Sequence, residues 1–339
     1  MNILLDAGSG GRASMRLIHD LFFKYFENDI LVKMDDAAYL EVQSPITMST
    51  DSYTVSPLFF KGGNIGTLAI HGTVNDISML GARPKYISCG FIIEEGFSLE
   101  ELEQIVISMA QAAKEAGVKI VTGDTKVVTK GACDKIFINT TGIGEIIKPE
   151  CEYGSPSGAN AKVGDVILLS GTMGDHGLTV MAERENLSFV SDIQSDSANL
   201  NYMIEQLMLE VKDIHVLRDP TRGGVATTLN EIAEQSKVRC VLYEEKLPVH
   251  ENVRSGASIL GIDPLYLANE GKLLCFVPKE KAEQALQVMK ADKYGKEAAI
   301  IGEVVALPEG KNGQVVLQTQ MGGMRLLTML EGAPLPRIC

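Results

Sequence analysis

The sequence predicts a two-domain α+β protein with α/β-type interleaving, and three observations carry that expectation. At 339 residues the chain is too long for one ordinary core. Hydrophobic residues make up 45% and charged residues 22%, which are globular values. Short apolar runs bounded by turn residues alternate with helical periodicity through both halves.

The first glycine cluster, Gly8-Ser9-Gly10-Gly11, leads into residues 13–26, where Met15, Leu17, Ile18, Leu21, Phe22 and Tyr25 recur at helical spacing. Residues 37–42, 46–50, 86–93, 120–122 and 136–143 read as strands. Between them, 65–80 reads as a helix, and so does 98–116, where Ser98 and Glu101 have capping-box spacing and Gly117 stands at the stop. Around residues 151–162 the composition shifts to Gly, Ser, Pro and Asn, which sets the predicted boundary between domains 1–153 and 154–330. The second half reads as a strand at 166–170, a glycine-rich loop at 171–177, and a helix from Leu178. Helices at 200–211, 225–236 and 279–290 and strands at 238–244, 273–277 and 299–306 complete it. Residues 331–339 read as a mobile tail.

A formal charge of −13 argues against a nucleic-acid partner, because phosphate-backbone binding needs clustered Lys and Arg. There is no Trp and aromatics are 6%, so no stacking platform is indicated. Six scattered cysteines without a CxxC pair fit neither a zinc site nor a disulfide framework. No apolar run reaches membrane-span length and no signal sequence opens the chain, so a soluble cytoplasmic protein is expected.

Carboxylates cluster beside the predicted strands and glycines. Asp51 ends one strand, Asp76 follows Asn75, Asp124 stands in Gly123-Asp124-Thr125-Lys126, and Asp35-Asp36 adjoins another strand. Such groups around Mg²⁺ would hold a triphosphate without a basic surface, although each singly also suits turn chemistry. Gly62-Gly63-Asn64 and Gly223-Gly224 could bring amides to phosphate, but neither is a Walker or GxGxxG sequence. Asp219-Pro220-Thr221-Arg222 precedes the latter pair, and Glu270 stands just before a strand. His176, between two glycines, is the one histidine placed for ligand or acid–base work. The chain closes on Pro334-Leu335-Pro336-Arg337-Ile338-Cys339, where two prolines hold the approach extended. A terminal thiol can enter a pocket and withdraw, yet chain ends also fray, and the tail alone leaves both readings open.

Together these segments resemble the aminoimidazole ribonucleotide synthetase and selenophosphate synthetase superfamily, over essentially the whole chain. The terminal Pro-Arg-Ile-Cys narrows the resemblance to its hydrogenase-maturation branch. The resemblance implies ATP-dependent dehydration of a carbamoyl group, carried as an S-carboxamide on Cys339, to a thiocyanate that supplies cyanide to nickel-iron hydrogenase. It implies ATP and Mg²⁺, a carbamoyltransferase partner (HypF) and a HypC–HypD iron scaffold. It also implies a homodimer whose N-terminal strands form a barrel across two subunits. By motif, Asp36, Asp51, Asp76 and Asp124 would hold the metal. Gly10, Gly11, Gly62, Gly63, Asn64, Asn75, Asp219 and Arg222 would join the last three around the nucleotide. Lys126 and Glu270 would handle the carbamoyl nitrogen protons. Arg337 is expected to offset the rise in the thiol pKa caused by the adjacent α-carboxylate. The branch commonly has a His before the first glycine segment, where this chain has Asp6-Ala7. A selenophosphate synthetase would want a Cys or selenocysteine in that segment, and this chain has none. A non-catalytic scaffold docking through its tail would not need Lys126, Glu270 and the carboxylates.

Overall fold

The computed structural model describes residues 2–8, 11–33, 37–148, 155–187, 193–329 and 337–339. The expected 153/154 boundary, Gly10, Asp36 and tail residues 331–336 lie outside them. The fold is mixed α+β with two sheets.

The N-terminal part opens with α1 (Gly11–Leu17), a π-helical stretch (Ile18–Phe23) and α2 (Lys24–Phe26). It continues through β1 (Ile46–Tyr53), the two-residue strands β2 (Phe59–Phe60) and β3 (Gly63–Asn64), and α3 (Ile65–Met79). Then come β4 (Ala82–Glu94), α4 (Leu99–Ala116), β5 (Lys119–Val128) and β6 (Ile136–Ile146). Four of these strands form one sheet in the order β1-β6-β4-β5, in which the β4–β5 pair is parallel and the other two are antiparallel. Ser98 caps α4 by accepting from the Glu101 amide, and Gly117 ends it with φ 70°. The α3 helix lies flush on the sheet because the crossing is built from glycines. A Cβ at Gly72 would overlap the Tyr53 hydroxyl, and one at Gly142 or Gly144 would strike Ile77.

The opposite face of this sheet carries Ile46, Met48 and Ile92, each more than two-fifths exposed. Residues 37–42, expected as a strand, join no strand ladder among the described residues. Tyr39 is 73% exposed there, so the alternation buries no face and the sheet ends at β1. Strands β1, β4 and β5 run longer than their apolar cores suggested, because ladder pairing carries them on into polar sequence.

The C-terminal part is a three-layer sandwich. Its elements are β7 (Asp165–Leu169), α5 (Asp175–Arg184), α6 (Asn201–Glu210), β8 (Val216–Arg218), α7 (Gly224–Ser236) and β9 (Arg239–Tyr243). These are followed by α8 (Glu251–Leu260), β10 (Leu274–Pro278), α9 (Ala282–Ala291), β11 (Ala299–Val305), β12 (Gln314–Gln318) and β13 (Met324–Leu327). The seven strands order as β13-β12-β9-β11-β7-β10-β8. Along β7, Ile167 and Leu169 join the cluster beneath α7, whereas Val166 and Leu168 join the one beneath α6 and α9. Burial on both faces is why this strand reads as one continuous apolar run. Four elements, β8, α8, β12 and β13, were not expected from periodicity. The helix α8 has few buried residues, and the three strands are short. Among the described residues no helix is long and apolar enough to cross a membrane.

Candidate active site

Between the two parts lies a cavity of about 600 Å³ lined by Asp51, Asp76, Asp219, Arg222, Glu270 and Cys339. Each reaches it by a local rule. Alternation along β1 turns Thr47, Ser49, Asp51 and Tyr53 toward α3. Ser49 Oγ donates to Asp76 Oδ2 at 2.8 Å, tying the strand to the helix. Asp219 directly follows β8, and Pro220 O accepts from the Asn269 side chain at 2.9 Å, which fixes the neighbouring Glu270 segment. Gly223 and Gly224, at φ 75° and 61°, let the chain turn into α7 past Leu267 and aim the start of that helix at the cavity.

Crowding of carboxylates sets the electrostatics. Burial raises the pKa of Asp76, and the Asp51 charge adds to that while the Ser49 hydroxyl opposes it. Burial, then the Asp76 charge, pushes Asp219 up to about 7. Glu270, 4% exposed, is driven well above the carboxylate range by burial and then by Asp219. Its Oε1 is buried with no hydrogen-bond partner among the described residues. The Cys339 thiol is raised by burial and then by Glu270, so it is protonated at neutral pH.

Arg222 is the cation that opposes this rise; Arg337, expected in that role, faces elsewhere. Its guanidinium donates to Thr54 O at 2.7 Å and to Asp134 Oδ2 at 2.6 Å, over the Phe137 ring. The tail ends docked: Thr54 N donates to Cys339 O at 3.1 Å and Ser56 N to Arg337 O at 3.2 Å.

Other expected residues stand apart from the thiol. Asp124 and Lys126 pair with each other at 3.1 Å, with side chains 69% and 62% exposed. They line a second cleft of about 320 Å³, largely apolar, with Ala7, Phe22 and Phe91. Gly11 begins α1, whose preceding turn (Leu5–Gly8) packs on β5 beside them. Gly62, Gly63, Asn64 and Asn75 are taken up by the fold itself. A Cβ on Gly62, at φ 86°, would meet the Ser195 backbone, and one on Gly63 would meet Thr67. Asn64 caps α3 with a reciprocal bond to Thr67. Asn75 Nδ2 donates to Ala198 O at 2.9 Å while its Oδ1 accepts from Leu200 N at 2.8 Å, joining the two parts.

Residues that clasp the tail, namely Thr54, Ser56 and Arg184, escaped sequence reading. A basic residue closing an amphipathic helix reads as a dipole partner, and nothing local marks it for a chain end more than 150 residues away.

Family comparisons agree with this architecture. The description "AIR synthase related protein, N-terminal domain" matches residues 34–146, and the corresponding C-terminal domain matches residues 162–312. The chain is 51% identical to carbamoyl dehydratase HypE of Azotobacter vinelandii, over 98% of this chain and 96% of the relative. It superposes on a crystal structure of hydrogenase maturation protein HypE in complex with ATP, with TM-score 0.95 and 62% identity over 99% of both chains. It also superposes on a chain of a HypE–HypF complex, with TM-score 0.80 and 53% identity over 93% of this chain and 99% of that one. With such identity over nearly its full length, the chain belongs to the carbamoyl dehydratase HypE family of AIR synthase related proteins.

Proposed function

We propose that this chain is an ATP-dependent carbamoyl dehydratase of hydrogenase maturation that works on its own C-terminal cysteine, in the cleft where Cys339 meets Glu270. The single observation that carries this reading is that the terminal thiol lies inside a carboxylate-lined cavity built by both sheets. The overall change converts R–S–C(=O)NH₂ and ATP into R–S–C≡N, ADP and phosphate. The carboxamide oxygen takes the γ-phosphoryl group and leaves as phosphate while both nitrogen protons depart. Oxygen is a poor leaving group until phosphorylated, which is why ATP is consumed.

The chain's own groups have separable tasks. Glu270 Oε1, buried and unpartnered, is the acceptor for a carboxamide proton, and its raised pKa makes it a stronger base once ionised. Arg222 and the amides at the start of α7 receive phosphate charge. The carboxylates of Asp51, Asp76 and Asp219 suit a hard oxygen-liganded cation such as Mg²⁺, whose chemistry is to neutralise triphosphate charge. Among the described residues no three such groups are grouped tightly enough to hold an ion by themselves. The cation would therefore share its ligands with the nucleotide.

Loading of the carbamoyl group requires a thiolate, and the docked thiol is held protonated. Carbamoylation by HypF accordingly takes place with the tail withdrawn, and delivery of cyanide to HypC–HypD does so again.

The enzyme works as a homodimer in the cytoplasm. The exposed apolar face with Ile46, Met48 and Ile92 becomes the barrel interior between two copies. Pairing β5 of one sheet with β1 of the other puts Asp124 and Lys126 of the partner subunit beside Asp51 and Cys339. Intact-mass measurement of the carbamoylated protein with Mg-ATP tests the chemistry. Loss of one water, absent in Glu270→Gln, is expected, whereas an unchanged mass with ATP demonstrably bound refutes it.

A further inference from the structure

The glycine-rich loop at residues 171–177 has no part in the chemistry above, yet its His176 is fully buried and ends on the tail. His176 Nε2 stands 2.8 Å from Ile338 O, and Nδ1 stands 2.8 Å from Ser195 Oγ. A carbonyl can only accept, so Nε2 carries the proton and Nδ1 accepts from the serine hydroxyl. Ser195 Oγ is in turn held by the Ser197 amide at 3.1 Å, and Ser195 N by Lys61 O at 2.9 Å. The ring is fixed further by Phe60, whose edge meets it at 85° with centroids 5.5 Å apart.

From the same helix, α5, Arg184 Nη2 donates to Arg337 O and to Ser56 O, both at 2.8 Å. Between these two contacts Ile338, 3% exposed, is sunk in the apolar cluster that contains Phe60, Val180 and Ala268.

We propose that His176 and Arg184 are positioning residues that latch the C-terminal tripeptide into the cleft and so govern how long the Cys339 sulfur stays beside Glu270. The inference rests on the reading that this sulfur carries the carbamoyl group. Both side chains grip backbone carbonyls, Ile338 O and Arg337 O, and neither touches the sulfur. The latch therefore holds the free thiol, the carboxamide and the thiocyanate equally well, and the cargo cannot release it. Withdrawal breaks four hydrogen bonds, two from α5 side chains and two from the Thr54 and Ser56 amides, and exposes Ile338, so the docked state is the resting one.

The test compares His176→Leu and Arg184→Ala with His176→Gln, whose terminal amide can still donate from near the Nε2 position. Alkylation of Cys339 by iodoacetamide, read on the C-terminal peptide by mass, reports the undocked fraction. It should be about 3–10-fold faster in His176→Leu and Arg184→Ala and close to wild type in His176→Gln. Single-turnover dehydration of carbamoylated protein with Mg-ATP should slow only as far as the docked fraction falls, while loading by the carbamoyltransferase proceeds at least as fast as in wild type. Unchanged alkylation and dehydration in both variants would overturn the latch. So would His176→Gln behaving like His176→Leu, which would mark the ring as packing. If wild-type carbamoylated protein itself fails to dehydrate, the functional reading falls, and the alkylation measurement still decides the latch.

Discussion

Asp51 and Asp124 stand one register step apart on opposite edges of the same four-stranded sheet. Asp51 pairs with Thr140, Thr140 with Cys89, and Cys89 with Gly123, the residue before Asp124. Three interstrand spacings separate them by roughly 14 Å. A chain that places its thiol beside Asp51 cannot by itself bring Lys126 to it.

The proposed dimer supplies Lys126 from the other copy, and mixed dimers test this. A dimer of one Lys126→Ala chain with one Cys339→Ala chain should dehydrate its carbamoyl group, because one composite site stays intact. Each homodimer should be inactive. Inactive mixed dimers, shown to form by native mass spectrometry, would place the lysine in its own chain's site, and an active Lys126→Ala homodimer would place it outside the reaction.

Glu270→Gln should accept the carbamoyl group normally and then stall. Loss of a positioned base costs about 10²–10⁴-fold. Single-turnover mass spectrometry should find the S-carboxamide accumulating with Mg-ATP present. Dehydration at more than a tenth of the wild-type rate would assign the base elsewhere.

Stability should depend on pH through the cleft. Asp219, at about 7, and Glu270, also raised, bind protons more tightly folded than unfolded. Their contribution is complete below the ordinary carboxylate range and is lost as pH rises through about 7. Without nucleotide or metal, the Tm should fall between about pH 5 and about pH 8. Asp219→Asn should flatten that fall and raise the Tm at the alkaline end; a parallel curve in the variant would refute the assignment.

Gly72→Ala should lift α3 from the sheet, since the new methyl overlaps the Tyr53 hydroxyl that faces Thr73. A cost of about 1–3 kcal/mol is expected from overpacking. Because Asp76 rides on the same helix, ATP affinity measured calorimetrically should fall as well. A variant with unchanged Tm and affinity would show that α3 can shift without cost.

Much of this was open to local reasoning. The helices α3 and α4, with the stop at Gly117, follow from periodicity and capping, and β7 and β10 from short apolar runs. The signal failed where ladders extend into polar sequence, as in β5, and where a strand is short and edge-exposed, as in β13. Among the site residues, Asp51, Asp76, Asp219, Arg222, Glu270 and Cys339 share one cavity. The glycine and asparagine motifs that looked like nucleotide contacts were harder to read. Gly62, Asn64 and Asn75 are occupied by a neighbouring loop, a helix cap and an inter-sheet tie, and turn chemistry and phosphate chemistry ask for the same residue types.

By itself the sequence determined the inventory: carboxylates at strand ends, glycines at turns, and a cysteine at position 339 behind two prolines. Those depend on residue type and spacing, which act over a few positions. Tertiary structure alone decided the company each residue keeps. Strand order puts Asp124 and Lys126 at the far edge from Asp51, and α5 reaches across to hold a chain end that sequence reading left free to fray. Register and long-range packing join residues hundreds of positions apart, and no local pattern records that pairing.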